Sequence, residues 1–545
     1  MLRHRRGRPG ALQRRQPGRH GLGPAADPPR ALGPPSRGDQ PRGQSRRSSR
    51  LVRHLHRGPD DPGGRSGKDG RGPDRRRADG DRAFAVPVGP RQAGRSSGAD
   101  GMLMAGSVHD SQIYHKLFDA GEASKLFTDS AEVRAMLIVE GALAKAQGEL
   151  GIIPELSAKA IHRATLEIPL DPGALGQAAA VNGVPVPGLV SAFRDAMQAP
   201  EHAQYFHWGA TSQDIIDTGL MLRLRQLLGL VEGAVRETLS ALAGLAEAHA
   251  ELPMAGRTYG QYATPVSFGS VAAQWGQPLL SCLKELDDLK RTSLLISLSG
   301  AAGTGSIWGA QTPALRAAVA AGLGLSDPGR SWHADRGPLL KVADWLTRLA
   351  TALGKIGEDV TLMVQSGVGE VRLGTAGGSS TMPQKQNPVQ PSVLVAAARQ
   401  SIAAQSALQG AGLARQQRDG AAWFTEWMVL PQLCLAAACA AETARRMVPG
   451  LEPQPDAMQA AFDQSQGLMQ AETLSFHLSA HMPRPEAQAA VKRLCRTVIE
   501  RGGHLRDAAA TAYPDIDLAP VFGASGQLGD GPEQARAFAA AARAV

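Results

Sequence analysis

The side chains best suited to chemistry are concentrated in one glycine-rich stretch, residues 377–388, which reads GGSSTMPQKQNP. It offers hydroxyl groups, successive backbone N–H groups, one ammonium group and one amide, and Pro388 suits the first turn of a following helix. Such a set can stabilise an anion whose charge grows during a reaction. An ordinary surface loop is also rich in glycine and serine, but it does not need a lysine and an asparagine at fixed places among them. The candidate residues are Ser379, Ser380, Lys385 and Asn387.

A second polar stretch, residues 207–214, reads HWGATSQD and directly precedes a long apolar segment. Thr211 and Ser212 can present hydroxyl and N–H groups to a carboxylate at the N-terminus of that predicted helix. His207 is a candidate catalytic group, although a lone histidine is more often structural. Asp214 can be either part of the site or only a charge in the first helical turn.

A third stretch, residues 256–265, reads GRTYGQYATP and is predicted to open another long helix. Arg257 can hold an anion, or it can cap the C-terminus of a neighbouring helix. Gln261 can hydrogen-bond a substrate oxygen, and Tyr259 or Tyr262 can act as a proton donor.

Long helices must position these stretches, because apolar residues recur at i, i+3, i+4 and i+7 from residue 105 onward and strand signals are nearly absent. The predicted helices cover about 130–148, 212–249, 265–298, 338–364, 388–413, 430–447, 455–465, 468–480 and 484–501. Several are far longer than the usual average of roughly 11–12 residues, and many are apolar on more than one face. The sequence therefore predicts an all-α fold whose bundle is shared between subunits of a homo-oligomer; a single monomeric bundle is the alternative.

Charge is distributed unevenly along the 545 residues. Residues 1–100 contain 24 basic and nine acidic side chains, a net charge of +15, whereas the rest of the chain contains 35 basic and 41 acidic side chains, a net charge of −6. The basic stretch lacks helical and strand periods, which suits a disordered tail. Nine aspartates argue against a transit peptide. We favour an over-extended reading frame whose true start is Met102 or Met104.

Composition excludes several classes of protein. The body of the chain has no gathered basic face, so we expect no nucleic-acid partner. There is no uninterrupted apolar run of about 18 residues and no secretory signal, so we expect no membrane association. Four scattered cysteines suit a reducing, cytoplasmic location. No His, Cys or Asp cluster has metal-ligand spacing, so we expect neither a metal nor another cofactor.

The three stretches, in this order and spacing, resemble the three signature regions of the fumarase/aspartase superfamily. The GSSxMPxKxNP loop is the most specific of them, and HWGATSQDIIDT is similar to the branch that contains adenylosuccinate lyases and 3-carboxy-cis,cis-muconate cycloisomerases. LFTDSAEVRAMLIVEGALAKAQ and SGAAGTGS also resemble the cycloisomerases. The resemblance covers residues 107–545. It implies a long-helix bundle with smaller helical N- and C-terminal domains, and a homotetramer whose four active sites each use three subunits.

The resemblance also implies roles for individual residues. Ser379 matches the loop serine that acts as general base or acid beside a carboxylate, and Lys385 and Asn387 match the groups that hold that carboxylate. The other matching positions are Thr211 and Ser212 as carboxylate binders, His207 as the histidine of the first region, and Gln261 as a substrate contact. The implied reaction is addition of a carboxylate across a conjugated double bond, with protonation of the α-carbon, in the protocatechuate branch of aromatic degradation. The substrate is then a small di- or tricarboxylate.

Several positions depart from the superfamily pattern. Tyr259 stands where adenylosuccinate lyases have the histidine of GRTHGQ, and Tyr262 stands where many cycloisomerases have the histidine of QHA. Gln384 and Gln386 replace the histidine and arginine of MPHKRNP. The alternatives are therefore a C–N or C–O lyase that releases fumarate, such as an adenylosuccinate lyase-like enzyme, a paralogue acting on another dicarboxylate, or a non-enzymatic relative. The predicted domains are residues 1–104 (tail), 105–210, 211–450 and 451–545.

Overall fold

The structure, a computed structural model, describes residues 106–378, 380–523 and 527–545. The predictions for the tail, and for Ser379, concern residues outside these ranges. The α-helices in the described ranges are α1 (Asp129–Glu149), α2 (Glu155–Glu167), α3 (Gly176–Asn182), α4 (Val186–Met197), α5 (Pro200–Ala203), α6 (Ser212–Ala248), α7 (Phe268–Ser293), α8 (Thr312–Leu323), α9 (Gly337–Met363), α10 (Val389–Ala411), α11 (Gly420–Met447), α12 (Pro455–Gln464), α13 (Ala471–Leu478), α14 (Arg484–Arg501), α15 (Leu505–Ala512), α16 (Ala519–Phe522) and α17 (Gly531–Arg543). The strands are β1 (Pro253–Thr258), β2 (Gln261–Ser267), β3 (Val371–Leu373) and β4 (Leu451–Pro453). The all-α prediction is confirmed.

Helix α6 is the longest helix of the described chain, with 37 residues, and it matches the predicted segment closely. It begins where Thr211 and Asp214 form a capping box, in which the Thr211 N–H donates to Asp214 Oδ2 at 3.1 Å. No proline interrupts it, and apolar side chains occupy most of its circumference. A helix of this length extends roughly 55 Å.

The main core forms where α6, α7, α9, α10 and α11 pack side by side. Two glycines allow α9 and α10 to approach closely: a Cβ at Gly354 would lie 2.5 Å from the Cβ of Ala398, and one at Gly357 would lie 2.6 Å from the carbonyl oxygen of Pro391. Leucines from all five helices are fully buried there, and each such side chain contributes about 1.5–3 kcal/mol by leaving water. The long-helix pattern of the sequence therefore produces this bundle.

Residues 256–265 precede a long helix, as predicted, but the near-absence of strands expected from the sequence does not hold here. They form an antiparallel hairpin of β1 and β2, and α7 begins only at Phe268. The two residues of the turn, Tyr259 and Gly260, both have positive φ angles, +53° and +73°, which is the pattern of a type I′ turn. A bulge occurs at Gly256, where a Cβ would lie 2.4 Å from the carbonyl oxygen of Thr264.

Helix α11 also differs from its prediction, because it begins at Gly420 rather than at about residue 430 and continues through Pro431. By length and composition the segment Gly420–Gly450 is apolar enough to cross a membrane, but 61% of its most apolar window is buried inside the fold. Its apolar residues pack on α10 and α9. The core of the bundle accounts for this apolar character.

The C-terminal part contains a separate apolar cluster in helices α13 to α16, whereas α17 returns to pack on α6 and α7. Phe538 of α17 fills a hollow over Gly276, where an added Cβ would lie 2.0 Å from its ring. β3 pairs with β4 beside the end of α9. The predicted boundaries at residues 104, 210 and 450 remain predictions.

Candidate active site

Asp214 organises the start of α6. Its side chain is fully buried and accepts hydrogen bonds from the N–H groups of Ser299 and Gly300, at 2.8 and 2.9 Å. His333 Nε2 lies 2.8 Å from Oδ1, and the Thr211 N–H lies 3.1 Å from Oδ2. Asp214 is therefore more than a charge in the first helical turn, because these four contacts give it a structural role. Asp214 fixes the SGAAGTGS segment, residues 299–306, against the first turn of α6.

An ion-pair cluster lies one turn further along α6. Arg336 Nη1 donates to Asp217 Oδ2 at 2.7 Å, and its Nε donates to Glu426 Oε1 at 2.6 Å. All three side chains are buried, and removal of one partner from such a cluster typically costs about 3–5 kcal/mol. The cluster joins α6, the start of α9 and α11, so this end of the bundle is held by directional contacts.

His207 lies just before α6, and its backbone has a φ of +64°. A left-handed backbone is uncommon for residues other than glycine and occurs more often at functional sites. Nδ1 of His207 is 2.6 Å from Oε1 of Glu140, a carboxylate of α1 that the sequence analysis missed. Burial of the imidazole lowers its pKa, but the charge and hydrogen bond of Glu140, together with the charge of Asp214, outweigh burial and raise the pKa of His207 above its ordinary value.

Gly209 explains why the turn after His207 can be so tight. Its φ is +77°, and a Cβ at this position would lie 2.6 Å from Nε1 of Trp308. That indole nitrogen donates to the carbonyl oxygen of Trp208 at 3.2 Å, and Gln147 Nε2 donates to the same oxygen at 2.7 Å. Only glycine fits here, so the glycine of the HWGAT motif has a packing reason.

Arg418 is a further residue that the sequence analysis missed. Its Nη2 donates to Thr211 Oγ1 at 3.1 Å and to the carbonyl oxygen of Ala301 at 3.1 Å, and its Nε donates to Gln213 Oε1 at 2.9 Å. A guanidinium group thus lies next to the predicted carboxylate binders Thr211 and Ser212. The only sequence signal was a basic residue before Asp419, the N-cap of α11.

Arg257 pairs with a protein carboxylate. Its two terminal nitrogens each lie 2.8 Å from an oxygen of Glu370, whose side chain is 1% exposed. The hydrogen bonds to Glu370 raise the pKa of Arg257. The guanidinium carbon is also 5.2 Å from the centroid of the Tyr262 ring. Arg257 therefore ties the hairpin to the segment before β3, and its use as an anion holder remains a prediction.

The tip of the hairpin is open to solvent. Tyr259 is fully exposed and Tyr262 is 43% exposed. Gln261 is exposed as well, and its Nε2 lies 3.4 Å from the carbonyl oxygen of Gly260. These three predicted site residues project from the end of the bundle.

The glycine-rich loop is closed at its base by a two-way backbone pairing of Gly377 with Asn387, with N···O distances of 3.0 and 2.8 Å. A Cβ at Gly377 would lie 2.6 Å from Cγ2 of Val389, so a side chain at this position would displace Val389 at the start of α10. Beyond the pairing, Ser380 and Lys385 are exposed. Ser379 itself lies outside the described residues.

A single chain does not bring all these groups together. Thr211 lies at the start of α6, while the hairpin follows the end of the same helix, roughly 55 Å away. The loop belongs to the hairpin end, because it follows β3 and Glu370, the partner of Arg257. His207, Thr211, Ser212 and Arg418 therefore lie at one end of the bundle, and Tyr259, Gln261, Ser380 and Lys385 lie at the other.

Within residues 106–378, 380–523 and 527–545 no group of three or more His, Cys, Asp or Glu side chains is arranged to hold a metal ion. The expectation of a metal-free and cofactor-free enzyme stays a prediction.

Comparison with known proteins adds to this geometry. A family profile described as "Lyase" matches residues 118–402. The 3-carboxy-cis,cis-muconate cycloisomerase of Pseudomonas aeruginosa is 37% identical over 404 residues, which are 73% of this chain and 88% of that protein. The chain belongs to the fumarase/aspartase family of lyases. Residues 118–402 of this lyase include all three polar stretches and both ends of α6.

The chain is similar to two further members of the family. The crystal structure of the 3-carboxy-cis,cis-muconate lactonizing enzyme from Pseudomonas putida superimposes with a TM-score of 0.74 at 31% identity, covering 80% of this chain and 99% of that one. The nitrosuccinate lyase of Streptomyces davaonensis is 35% identical over 402 residues, 71% of this chain and 84% of that protein. The family therefore includes members that are named for different reactions.

Proposed function

We propose that this lyase is a cycloisomerase that converts 3-carboxy-cis,cis-muconate to a carboxymuconolactone. The observation that carries the proposal is the similarity to the P. aeruginosa cycloisomerase, 37% identical over 88% of that protein's length. The polar groups at both ends of the bundle suit a substrate with several carboxylates. The reaction adds one substrate carboxylate oxygen to a conjugated double bond and delivers a proton to the α-carbon.

The chemical difficulty is the charge that develops when the carboxylate oxygen adds, because the adjacent carbon becomes a carbanion delocalised into its carboxylate. Lys385, Asn387 and the N–H groups of the loop would stabilise that charge. Ser379 would deliver the proton, or remove it in the reverse direction, once its pKa is lowered by aligned N–H groups and Lys385. Loop closure would exclude water from the intermediate.

We further propose that each active site is assembled from several copies of the chain in a homotetramer. The support is the separation of roughly 55 Å between the two groups of candidate residues. In an antiparallel assembly, the end of one bundle that carries Thr211 meets the end of another that carries the hairpin and the loop. The long, broadly apolar helices also suit a shared bundle. A cytoplasmic location remains a prediction from the sparse cysteines.

The function is tested with protein that begins at Met104, by following the ultraviolet absorbance of 3-carboxy-cis,cis-muconate. Rapid loss of the conjugated absorbance, with formation of the lactone, is the expected result. Adenylosuccinate is assayed in parallel. Activity on adenylosuccinate alone would replace the cycloisomerase with a fumarate-releasing lyase, and inactivity on both compounds would indicate a different dicarboxylate.

The shared site is tested at low substrate concentration by co-expressing two impaired variants, His207→Gln and Ser379→Ala. If one site takes His207 and Ser379 from different subunits, co-expression produces some sites with neither change, and activity rises well above that of either variant alone. If both residues of a site came from one chain, no mixture would recover activity. A sedimentation measurement reports the number of subunits independently.

A further inference from the structure

Glu140 is a buried charged group that the proposed reaction does not use. It lies on α1 with 1% of its surface exposed, and its Oε1 is 2.6 Å from His207 Nδ1. Its other oxygen, Oε2, is buried and has no hydrogen-bond partner in the described ranges. A buried carboxylate that is only partly hydrogen-bonded is costly. A cation beside it offsets part of this cost, and His207 is the group in contact.

The charged groups around His207 come from three helices. Glu140 of α1 makes the direct contact, and Asp214 of α6 adds a second negative charge nearby. Arg194 of α4 opposes them with one positive charge, and its Nη2 donates to the carbonyl oxygen of Phe206 at 2.9 Å. The two carboxylates therefore outnumber the single guanidinium, and the local field favours a protonated imidazole.

The geometry also determines which nitrogen His207 can offer to a substrate. Nδ1 is taken by Glu140, and no other hydrogen bond of the ring is found in the part of the chain that the structure describes. The side chain is 17% exposed, so the ring is not sealed from ligand. Its position is fixed by the left-handed backbone of His207 and the tight turn at Gly209.

We propose that Glu140 is a positioning residue that holds His207 as an imidazolium, so that Nε2–H is a permanent cationic donor to a substrate carboxylate. In this role His207 does not accept a proton during the reaction. The proposal rests on the proposed function for the identity of the substrate. A substrate with three carboxylates suits more than one cationic partner; residues 377–388 contain one cation, Lys385, and Arg418 lies beside Thr211.

The proposal is first tested without turnover, by measuring hydrogen–deuterium exchange at the imidazole Cε1–H of each histidine by mass spectrometry from pH 5 to 9. In the wild type we expect the pKa of His207 to lie above the ordinary value of about 6.5. In the isosteric variant Glu140→Gln it should fall below that value, because burial then acts with less opposition. A wild-type His207 that titrates below 6.5, or one that titrates equally in both proteins, would overturn the proposal.

Ser157→Ala is the matched control. Ser157 is buried in the same part of the fold, and its Oγ is 3.0 Å from Nδ1 of another histidine, His202. This variant also removes a buried polar contact to an imidazole, but it should leave the pKa of His207 unchanged. If Glu140→Gln does not fold, Glu140→Asp replaces it. Asp keeps the charge but withdraws it by about 1.5 Å, so the pKa of His207 should be lower than in the wild type.

Activity on 3-carboxy-cis,cis-muconate provides the second readout. kcat/KM should fall as pH rises through the pKa of His207, and in Glu140→Gln this fall should begin at least about one pH unit lower. KM should rise about tenfold at neutral pH with a smaller change in kcat, because a substrate anchor is lost. A shifted His207 pKa without turnover in any variant would reject the proposed function alone. Normal turnover with an unshifted pH profile in Glu140→Gln would reject the role of Glu140 alone.

Discussion

The two ends of helix α6 carry candidate site residues in opposite physical states. At its start, the predicted carboxylate binders Thr211 and Ser212 are half-buried. The residues that follow them, Asp214 and Gln213, are buried and held by backbone N–H groups, His333 and Arg418. Beyond its end, Tyr259, Ser380 and Lys385 are exposed. The first set is preorganised before substrate arrives, which suits groups that bind carboxylates. The second set keeps the freedom to close, which suits groups that transfer protons after binding.

The largest effect should follow a change at the exposed end. Ser379→Ala removes the proposed proton carrier, so kcat should fall at least roughly 100-fold, which corresponds to about 2.7 kcal/mol in the activation barrier. The thermal unfolding midpoint should not change. The measurements are steady-state turnover of 3-carboxy-cis,cis-muconate and calorimetry.

Ser392→Ala is the control for this substitution. Ser392 is exposed, lies just beyond the loop in α10, and its Oγ donates only to the carbonyl oxygen of Pro388 within the described ranges, at 2.8 Å. Its turnover should equal that of the wild type. Near-normal turnover in Ser379→Ala would remove Ser379 from the mechanism and with it the assignment of acid–base chemistry to the loop.

Two glycine substitutions compare the rigidity of the two ends directly. Gly209 and Gly260 have nearly the same φ, +77° and +73°, so an alanine at either position incurs a similar backbone cost of about 1–2 kcal/mol. At Gly260 nothing lies within 4 Å of an added Cβ, but at Gly209 Trp308 lies 2.6 Å away. Gly209→Ala should therefore lower the free energy of unfolding by about 2 kcal/mol more than Gly260→Ala.

Chemical denaturation at a fixed protein concentration measures both variants, since subunit association also contributes to stability. Equal losses of stability would mean that the turn at Gly209 accommodates an added side chain as easily as the tip of the hairpin does. The claim of a preorganised carboxylate site would then be wrong.

Sequence alone predicted most of the bundle because its signals are local. The period of apolar residues fixed α6 almost to the residue, and α14 matches its prediction at both ends. The hairpin was missed because its turn lacks the Asn-Gly or Asp-Gly signal of a type I′ turn; a tyrosine occupies the first left-handed position instead. Strand pairing also depends on contacts between residues on either side of the turn. The spacing of apolar residues along the chain does not predict such contacts.

The candidate site was only partly predictable for a related reason. The motifs identified His207 and Thr211, but the residues that orient them are distant in the chain. Glu140 lies 67 positions from His207, and Arg418 lies 205 positions from Gln213. No local pattern marks such partners, because packing of separate helices brings them together. The division of the site between two ends likewise follows from the length of α6, not from any single motif.

The smallest effect concerns the two tyrosines of the hairpin, which the sequence left as alternative proton donors. The Tyr262 ring lies against the Arg257 guanidinium, whereas Tyr259 is fully exposed at the tip, where a neighbouring copy would meet it. Tyr259→Phe should therefore lower kcat by about tenfold, while Tyr262→Phe should change it by less than about threefold. Neither should change the free energy of unfolding by more than about 0.5 kcal/mol. The reverse order of the two kcat values would assign the proton donor to Tyr262 and make the tip of the hairpin a binding element only.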